Sequence, residues 1–212
     1  MRLNQSSILS QNDPLVIKGQ QINIVDDFKY LGSYVGSTEH DVKVRIGFAW
    51  AAFAKVKSIL RSPKVKLNFK IRLFKAACIS ILLYGCESWI LTEALIDRLE
   101  IFTRTCYRIM LDIKQSRDHV TNQSLYHLTG QAPLRETIRE RQLKFTGHCI
   151  RMPTDEPANR FVIYESKIRA SLRSGAPRTT YLHQISSHIL PGEKTLEANE
   201  IRKVAVSYTH LT

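Results

Sequence analysis

Between Ser37 and Pro63 apolar side chains recur on a helical period: Val42, Ile46, Ala49, Phe53, Val56 and Leu60 are separated by four, three, four, three and four residues. That spacing returns to one face of an α-helix on every turn. Ser37 and Thr38 set hydroxyls ahead of Glu39 and Asp41, residues that suit the free amides of a first turn. Ser62-Pro63 ends the run. A helix of this length must pack other helices against its apolar stripe, which points to a mainly α fold.

The opposite face of the same helix carries Lys43, Gly47, Trp50, Ala54, Lys57 and Arg61. Small residues let a backbone or phosphate approach, the indole offers a stacking surface, and the cations offer neutralisation. The plainer reading is a solvent face bearing one tryptophan. A second helix is expected from Leu67 to Tyr84, entered through Lys64, Lys66, Lys70, Arg72 and Lys75 and stopped at Gly85. Its uncharged half, Ala77 to Leu83, is expected to be buried all round. A third opens at Thr92-Glu93, with Leu95, Leu99, Phe102, Cys106 and Ile109 inward and Arg98, Arg104 and Arg108 outward. Glu100 and Arg104 stand at the spacing of a weak surface ion pair.

Past Lys114 the elements shorten. Thr121 caps Asn122 to Leu128, Gly130 ends it, and Pro133, at a first helical position, begins a helix from Leu134 to Met152 with Arg135, Arg139 and Arg141 on or near one surface. Asn159 to Leu172, Thr180 to Leu190 and Leu196 to Val206 are further helical pieces, and the glycine and proline of Arg173-Ser174-Gly175-Ala176-Pro177-Arg178 make a basic loop. Ahead of the first helix, Leu15 to Ile17, a Lys18-Gly19 turn, Ile22 to Val25 and Phe28 to Tyr34 read as short antiparallel strands. Such strands do not bury themselves unaided and are expected to edge a larger sheet.

The 212 residues carry 31 Lys and Arg against 19 Asp and Glu, a net charge of +12, spread along the chain. A folded surface of that sign favours a polyanionic partner. The alternative is an all-α protein-interaction module with incidental positive charge. No apolar run opens the chain, and its longest, Ala76 to Cys86, is well short of the about 20 residues that cross a bilayer. An intracellular chain, nuclear or cytoplasmic, without a membrane partner is expected. Cys78, Cys86, Cys106 and Cys149 lack the close pairing of zinc ligands and read as reduced core residues. In His148-Cys149 consecutive helical positions point about 100° apart, a poor chelate.

Chemistry is sparse. Asp26-Asp27 is the only carboxylate pair resembling a polymerase site, and no hairpin aromatic precedes it. Asp118-His119 comes without an activated nucleophile, Glu87 is a lone carboxylate, and no glycine-rich phosphate loop appears. The chain is read as a binding protein, not an enzyme.

Six runs occur in order: Phe28-Lys29-Tyr30-Leu31-Gly32-Ser33, Leu82-Leu83-Tyr84-Gly85-Cys86-Glu87-Ser88-Trp89, Arg117-Asp118-His119-Val120-Thr121-Asn122, Arg141 to Met152, Gly175-Ala176-Pro177-Arg178-Thr179-Thr180 and Ile201-Arg202-Lys203-Val204-Ala205. Together they resemble the non-LTR (LINE-type) retrotransposon reverse transcriptases, from the end of the palm through the thumb to the C-terminal extension. The resemblance implies a palm remnant over residues 1–36, a thumb-like helical bundle over 37–112 and a C-terminal helical extension over 113–212. It implies a grip on RNA, RNA·DNA hybrid or DNA, with no cofactor in this chain and Mg²⁺ expected only with the absent palm. Phe28, Lys29 and Tyr30 would support a primer backbone that Gly32 lets approach. The same strand read structurally pins the sheet to the thumb. Adding Lys43, Trp50, Lys57, Arg61, Lys64, Lys66, Lys70, Arg173 and Arg178 completes the candidate binding set. The tail Val206 to Thr212 departs from the family pattern and is expected to be a truncation or assembly scar. Oligomeric state stays open.

Overall fold

A computed structural model describes residues 15–17, 20–22, 28–162, 180–189 and 200–201. The fold is mainly helical, with antiparallel hairpins ahead of the helices. Ser37 accepts a hydrogen bond from the His40 amide at 3.1 Å and starts α1, Thr38–Arg61, which Ser62 closes. Val42, Ala49, Phe53 and Leu60 on its apolar stripe are buried, with Ile46 and Val56 packed against them. Local signals and packing therefore agree over this element.

α2, Leu67–Phe74, runs into a π-helical stretch, Lys75–Ile79, and then α3, Ser80–Leu82, before Gly85 turns the chain at φ +78°. The uncharged half is not buried all round. Cys78, Ile79, Leu82 and Leu83 are inside, but Ser80 is exposed and Ala77 and Ile81 are only half-buried. Ala77 and Ile81 instead border a shallow apolar groove with Phe48, Ala51, Ala52, Lys55 and Val56 of α1. Charge is absent there because two helices lie side by side at the surface.

α4, Glu93–Met110, is capped by the Thr92 hydroxyl, which accepts from the Leu95 amide, packs on α1, and meets α2 through Phe74. Phe74 sits at the centre, its ring 6.2 Å from Phe53, 6.2 Å from Phe102 and 5.5 Å from Tyr107. Each such ring contributes roughly 1.5–3 kcal/mol by leaving water. The same core takes in Leu125 of α6 (Asn122–Thr129) and Leu134 and Ile138 of α7 (Leu134–Ile150). A short α5, Gln115–Asp118, lies between α4 and α6.

Glu100 departs from expectation. It is buried, accepts from the Tyr126 hydroxyl and from the Arg135 amide at 3.0 Å, and lies 3.9 Å from Arg104. α6 and the first turn of α7 cover this side of α4, so the carboxylate serves a free amide of a helix start in addition to its Arg104 pair, which is buried at the Glu100 end.

A second, smaller core gathers Cys149, Ile150, Val162 of α8 (Pro157–Val162), Tyr181, Leu182 and Ile185 of α9 (Tyr181–Ile189), and Ile201. Buried Gln142 joins it to the first core: its Nε2 donates to the Cys86 and Trp89 carbonyls, and its Oε1 accepts from Gln184 Nε2 at 2.7 Å. Gln184 Oε1 in turn accepts from the Leu91 amide. All four cysteines are buried and free, and burial pushes the Cys78 thiol up to about 11 and Cys86 to about 12.

At the front of the chain β1, Leu15–Ile17, pairs with β2, Gln20–Ile22, and β3, Phe28–Tyr30, pairs with β4, Ser33–Val35. The expected strand from Phe28 to Tyr34 is thus a hairpin, broken where Leu31 and Gly32 adopt φ +47° and +88°. Two positive-φ residues in succession make the turn whose twist matches a two-residue hairpin. Of the strand expected over Ile22 to Val25, Ile22 lies in β2 and residues 23–25 lie outside the described residues. The Lys18-Gly19 turn, the helix beyond Val162, the loop at 173–178, most of the Leu196 to Val206 helix and the tail lie outside the described residues. Among the described residues no helix is long and apolar enough to cross a membrane.

Candidate nucleic-acid interface

The β3–β4 hairpin is seated on α1 through a buried ionic hub. Asp41 is 2% exposed; its Oδ2 accepts from Trp89 Nε1 at 2.9 Å and its Oδ1 from the Tyr34 amide at 3.2 Å. One helical turn later Arg45 lies 3.8 Å from the same carboxylate and covers the Tyr84 ring. Arg45 Nη2 donates to the Gly32 carbonyl at 2.5 Å, and the Tyr84 hydroxyl donates to the Leu31 carbonyl at 2.9 Å. Both carbonyls of the turn are therefore bound from below. Leucine at positive φ is strained, and these bonds are what over-determine it.

Glycine is required differently at two nearby positions. At Gly32 an added Cβ would meet Tyr84 and Arg45 at 3.6 and 3.8 Å, ordinary contacts, so the backbone angle makes the demand. At Gly85 it would come 2.7 Å from Ser33 Oγ, so both angle and space do.

β3 is exposed on both faces, aromatic on one and basic on the other. Phe28 and Tyr30 alternate with Lys29 along β3 and are 47% and 60% exposed, their rings stacked at 6.5 Å and 23°. Lys29 is exposed as well. On α1, Lys43, Lys57 and Arg61 are exposed along one face, a track of about 27 Å at 1.5 Å per residue. Lys64 and Lys66 continue it beyond the helix end, both exposed. Trp50 stands on this track only in part. Its indole packs edge-on to Phe102 at 4.8 Å and to Phe53 at 5.8 Å, which leaves it 37% exposed and ties it to the core.

Lys70 does not belong to the surface. It is 6% exposed and donates Nζ to the Met110 carbonyl at 3.2 Å, where the last turn of α4 concentrates negative carbonyl charge. Its cation closes a helix. The α7 arginines are likewise engaged: Arg135 pairs with Glu93, Arg139 donates to the His188 carbonyl, and Arg141 donates to the Leu83 carbonyl. Asp118 binds Arg117 and caps the Lys114 amide, so it does not orient His119. Arg173 and Arg178 lie outside the described residues.

Thus the fold gathers Phe28, Lys29, Tyr30 and Gly32 on one hairpin and Lys43, Lys57 and Arg61 on one helix face, with Lys64 and Lys66 beside Arg61. Sequence reasoning missed Asp41, Arg45 and Tyr84 as the residues that seat the hairpin. Their signals were the four-residue spacing of Asp41 and Arg45 and the tyrosine ahead of Gly85.

No family model matches the chain, and no solved structure matches it. A Caenorhabditis elegans protein described as a putative uncharacterized transposon-derived protein is 28% identical over 138 residues. The chain is similar to a transposon-derived protein. The match covers 62% of the chain and 49% of the relative, so the chain spans about half of that protein's length.

Proposed function

We propose that the chain is the nucleic-acid-gripping portion of a non-LTR retrotransposon reverse transcriptase, holding RNA, RNA·DNA hybrid or DNA without polymerising. The observation that supports this most is the seated hairpin. It turns Phe28, Lys29 and Tyr30 outward while its own turn is fixed to the helix that carries Lys43, Lys57 and Arg61. Aromatic rings give sequence-tolerant stacking and the cations meet phosphates. The similarity to a transposon-derived protein is in keeping with that role. Mg²⁺ and the bond-forming carboxylates would come from a palm, and no reaction is assigned to this chain.

The test is direct. Purified chain should bind an RNA·DNA hybrid at low salt and incorporate no nucleotide in the same buffer with Mg²⁺. Failure to bind contradicts the reading, and incorporation lost in Asp26→Ala contradicts its second half.

A protein-interaction module is the second reading, favoured by the apolar groove between α1 and α3 at Phe48, Ala52, Val56, Ala77 and Ile81. It predicts a protein ligand and indifference to nucleic acid.

A further inference from the structure

Beneath the hairpin turn lies an open cleft of about 510 Å³, within the range of small-ligand sites. Tyr30 and Leu31 line it from the hairpin, Ser80, Leu83 and Tyr84 from α3 and the residues just after it, and Glu87 and Arg141 lie 3.9 Å apart in the same lining. Two features distinguish it from a surface crease. Its aromatic walls are half-exposed tyrosines on opposite elements, one on β3 and one just after α3. And three of its polar groups are unspent: among the described residues the Tyr30 hydroxyl, the Ser33 hydroxyl and the Glu87 carboxylate have no internal hydrogen bond. The nearest partner of that carboxylate is Arg141, 3.9 Å away. Gly85 keeps the floor open, since a side chain there would strike Ser33 Oγ.

We propose that this cleft takes one unpaired guanine base of a bound nucleic-acid strand, an assignment that rests on the nucleic-acid reading above. Unpaired bases are recognised by stacking on aromatic rings and by hydrogen bonds along the Watson–Crick edge. The Glu87 carboxylate only accepts, with two oxygens, and the Arg141 guanidinium only donates. Guanine alone among the four bases presents two adjacent N–H donors, at N1 and N2, beside a carbonyl acceptor at O6. The pair matches that edge in order: two acceptors, then a donor. Arg141 has five N–H donors, so it keeps donors to spare beyond the Leu83 carbonyl and the Cys86 sulfur. Tyr30 and Tyr84 supply the flat contacts.

The experiment uses the full chain and a fluorescein-labelled RNA·DNA hybrid, either blunt or ending in a single unpaired G, A, C or U, followed by anisotropy. The expected result is a guanine overhang bound roughly 10-fold tighter than the blunt hybrid, with the other three within about 3-fold of it. Glu87→Gln should erase the guanine advantage and leave blunt-hybrid affinity within about 2-fold, since its amide now presents a donor to an N–H. The substitution spares the fold: the Glu87 backbone carbonyl still accepts from Tyr181. Tyr30→Leu should lower the gain from every overhang alike. Equal binding of all four overhangs, or a guanine preference that survives Glu87→Gln, overturns the assignment while leaving hybrid binding intact. Absence of binding to the blunt hybrid overturns the nucleic-acid reading, and the subsite with it.

Discussion

The Arg45 guanidinium lies 4.4 Å from the centroid of the Tyr84 ring, and each of the two residues also binds one carbonyl of the Leu31-Gly32 turn. A cation over a ring face is stabilised most where water is excluded, and Arg45 is buried. Its Nε makes no hydrogen bond, so its charge relies on Asp41 at 3.8 Å, on Tyr84 and on the Gly32 carbonyl. Asp41 is in turn held by Trp89 and the Tyr34 amide. The hairpin that carries Phe28, Lys29 and Tyr30 is therefore fixed to α1 and to the 86–91 link by side chains lying 4 to 53 residues apart in sequence.

Tyr84→Phe keeps the ring under Arg45 and removes only the hydroxyl bond to Leu31. Because that bond is at the surface, global stability should fall by no more than about 1 kcal/mol. Hydrogen exchange across Phe28 to Val35 should quicken while the helices keep their protection. Unchanged exchange in the hairpin would show that the bond does not hold it.

Asp41→Ala acts on the other end of the hub. It leaves the buried Arg45 without its carboxylate and the Trp89 N–H without an acceptor, which should cost about 3–5 kcal/mol in urea denaturation. Replacing Glu39, an exposed residue paired with Arg98, should cost no more than about 1 kcal/mol.

Lys70→Met retains the stem and deletes the ammonium that meets the Met110 carbonyl. Stability should drop by about 1–2 kcal/mol, and hybrid affinity should stay within about 2-fold of wild type. Lys57→Gln should do the reverse, weakening binding with little effect on folding.

Burial pushes the Tyr181 hydroxyl up to about 12 from its ordinary 10, and Tyr126 rises to about 12 as well. A proton held more tightly in the folded state gives stability that is intact below pH 10 and is lost as pH climbs toward 12. On the acid side, burial and then Arg139 lower His188 below its ordinary 6.5, with Glu136 opposing. That contribution is present above pH 6.5 and is lost as pH falls through the depressed value. The buried thiols of Cys78 and Cys86, raised from their ordinary 9, begin the alkaline fall earlier, so denaturation midpoints should form a plateau between roughly pH 7 and pH 9. Tyr181→Phe should flatten the alkaline limb.

Helices were legible where local and tertiary demands coincide. Ser37, Thr92, Thr121 and Gly130 cap as their types require, and the α1 stripe faces the core. The hairpin was half legible: Phe28 to Ser33 stood out, but the turn did not, because leucine gives no signal of positive φ and only Arg45 and Tyr84, distant in sequence, sustain it. Lys70 and Glu100 misled for one reason. A charged residue at a helical surface position looks solvated until the end of another helix arrives beside it, and for both the partner is a backbone group 35 to 40 residues away.

The most direct measurement is hybrid affinity against salt for wild type and for a Lys43→Gln, Lys57→Gln, Arg61→Gln triple variant, by anisotropy. If the α1 face neutralises phosphates, log K falls linearly with log salt and the triple variant loses about 2–3 from the slope. A wild-type chain that does not bind at low salt, or a triple variant with the wild-type slope, would contradict the account.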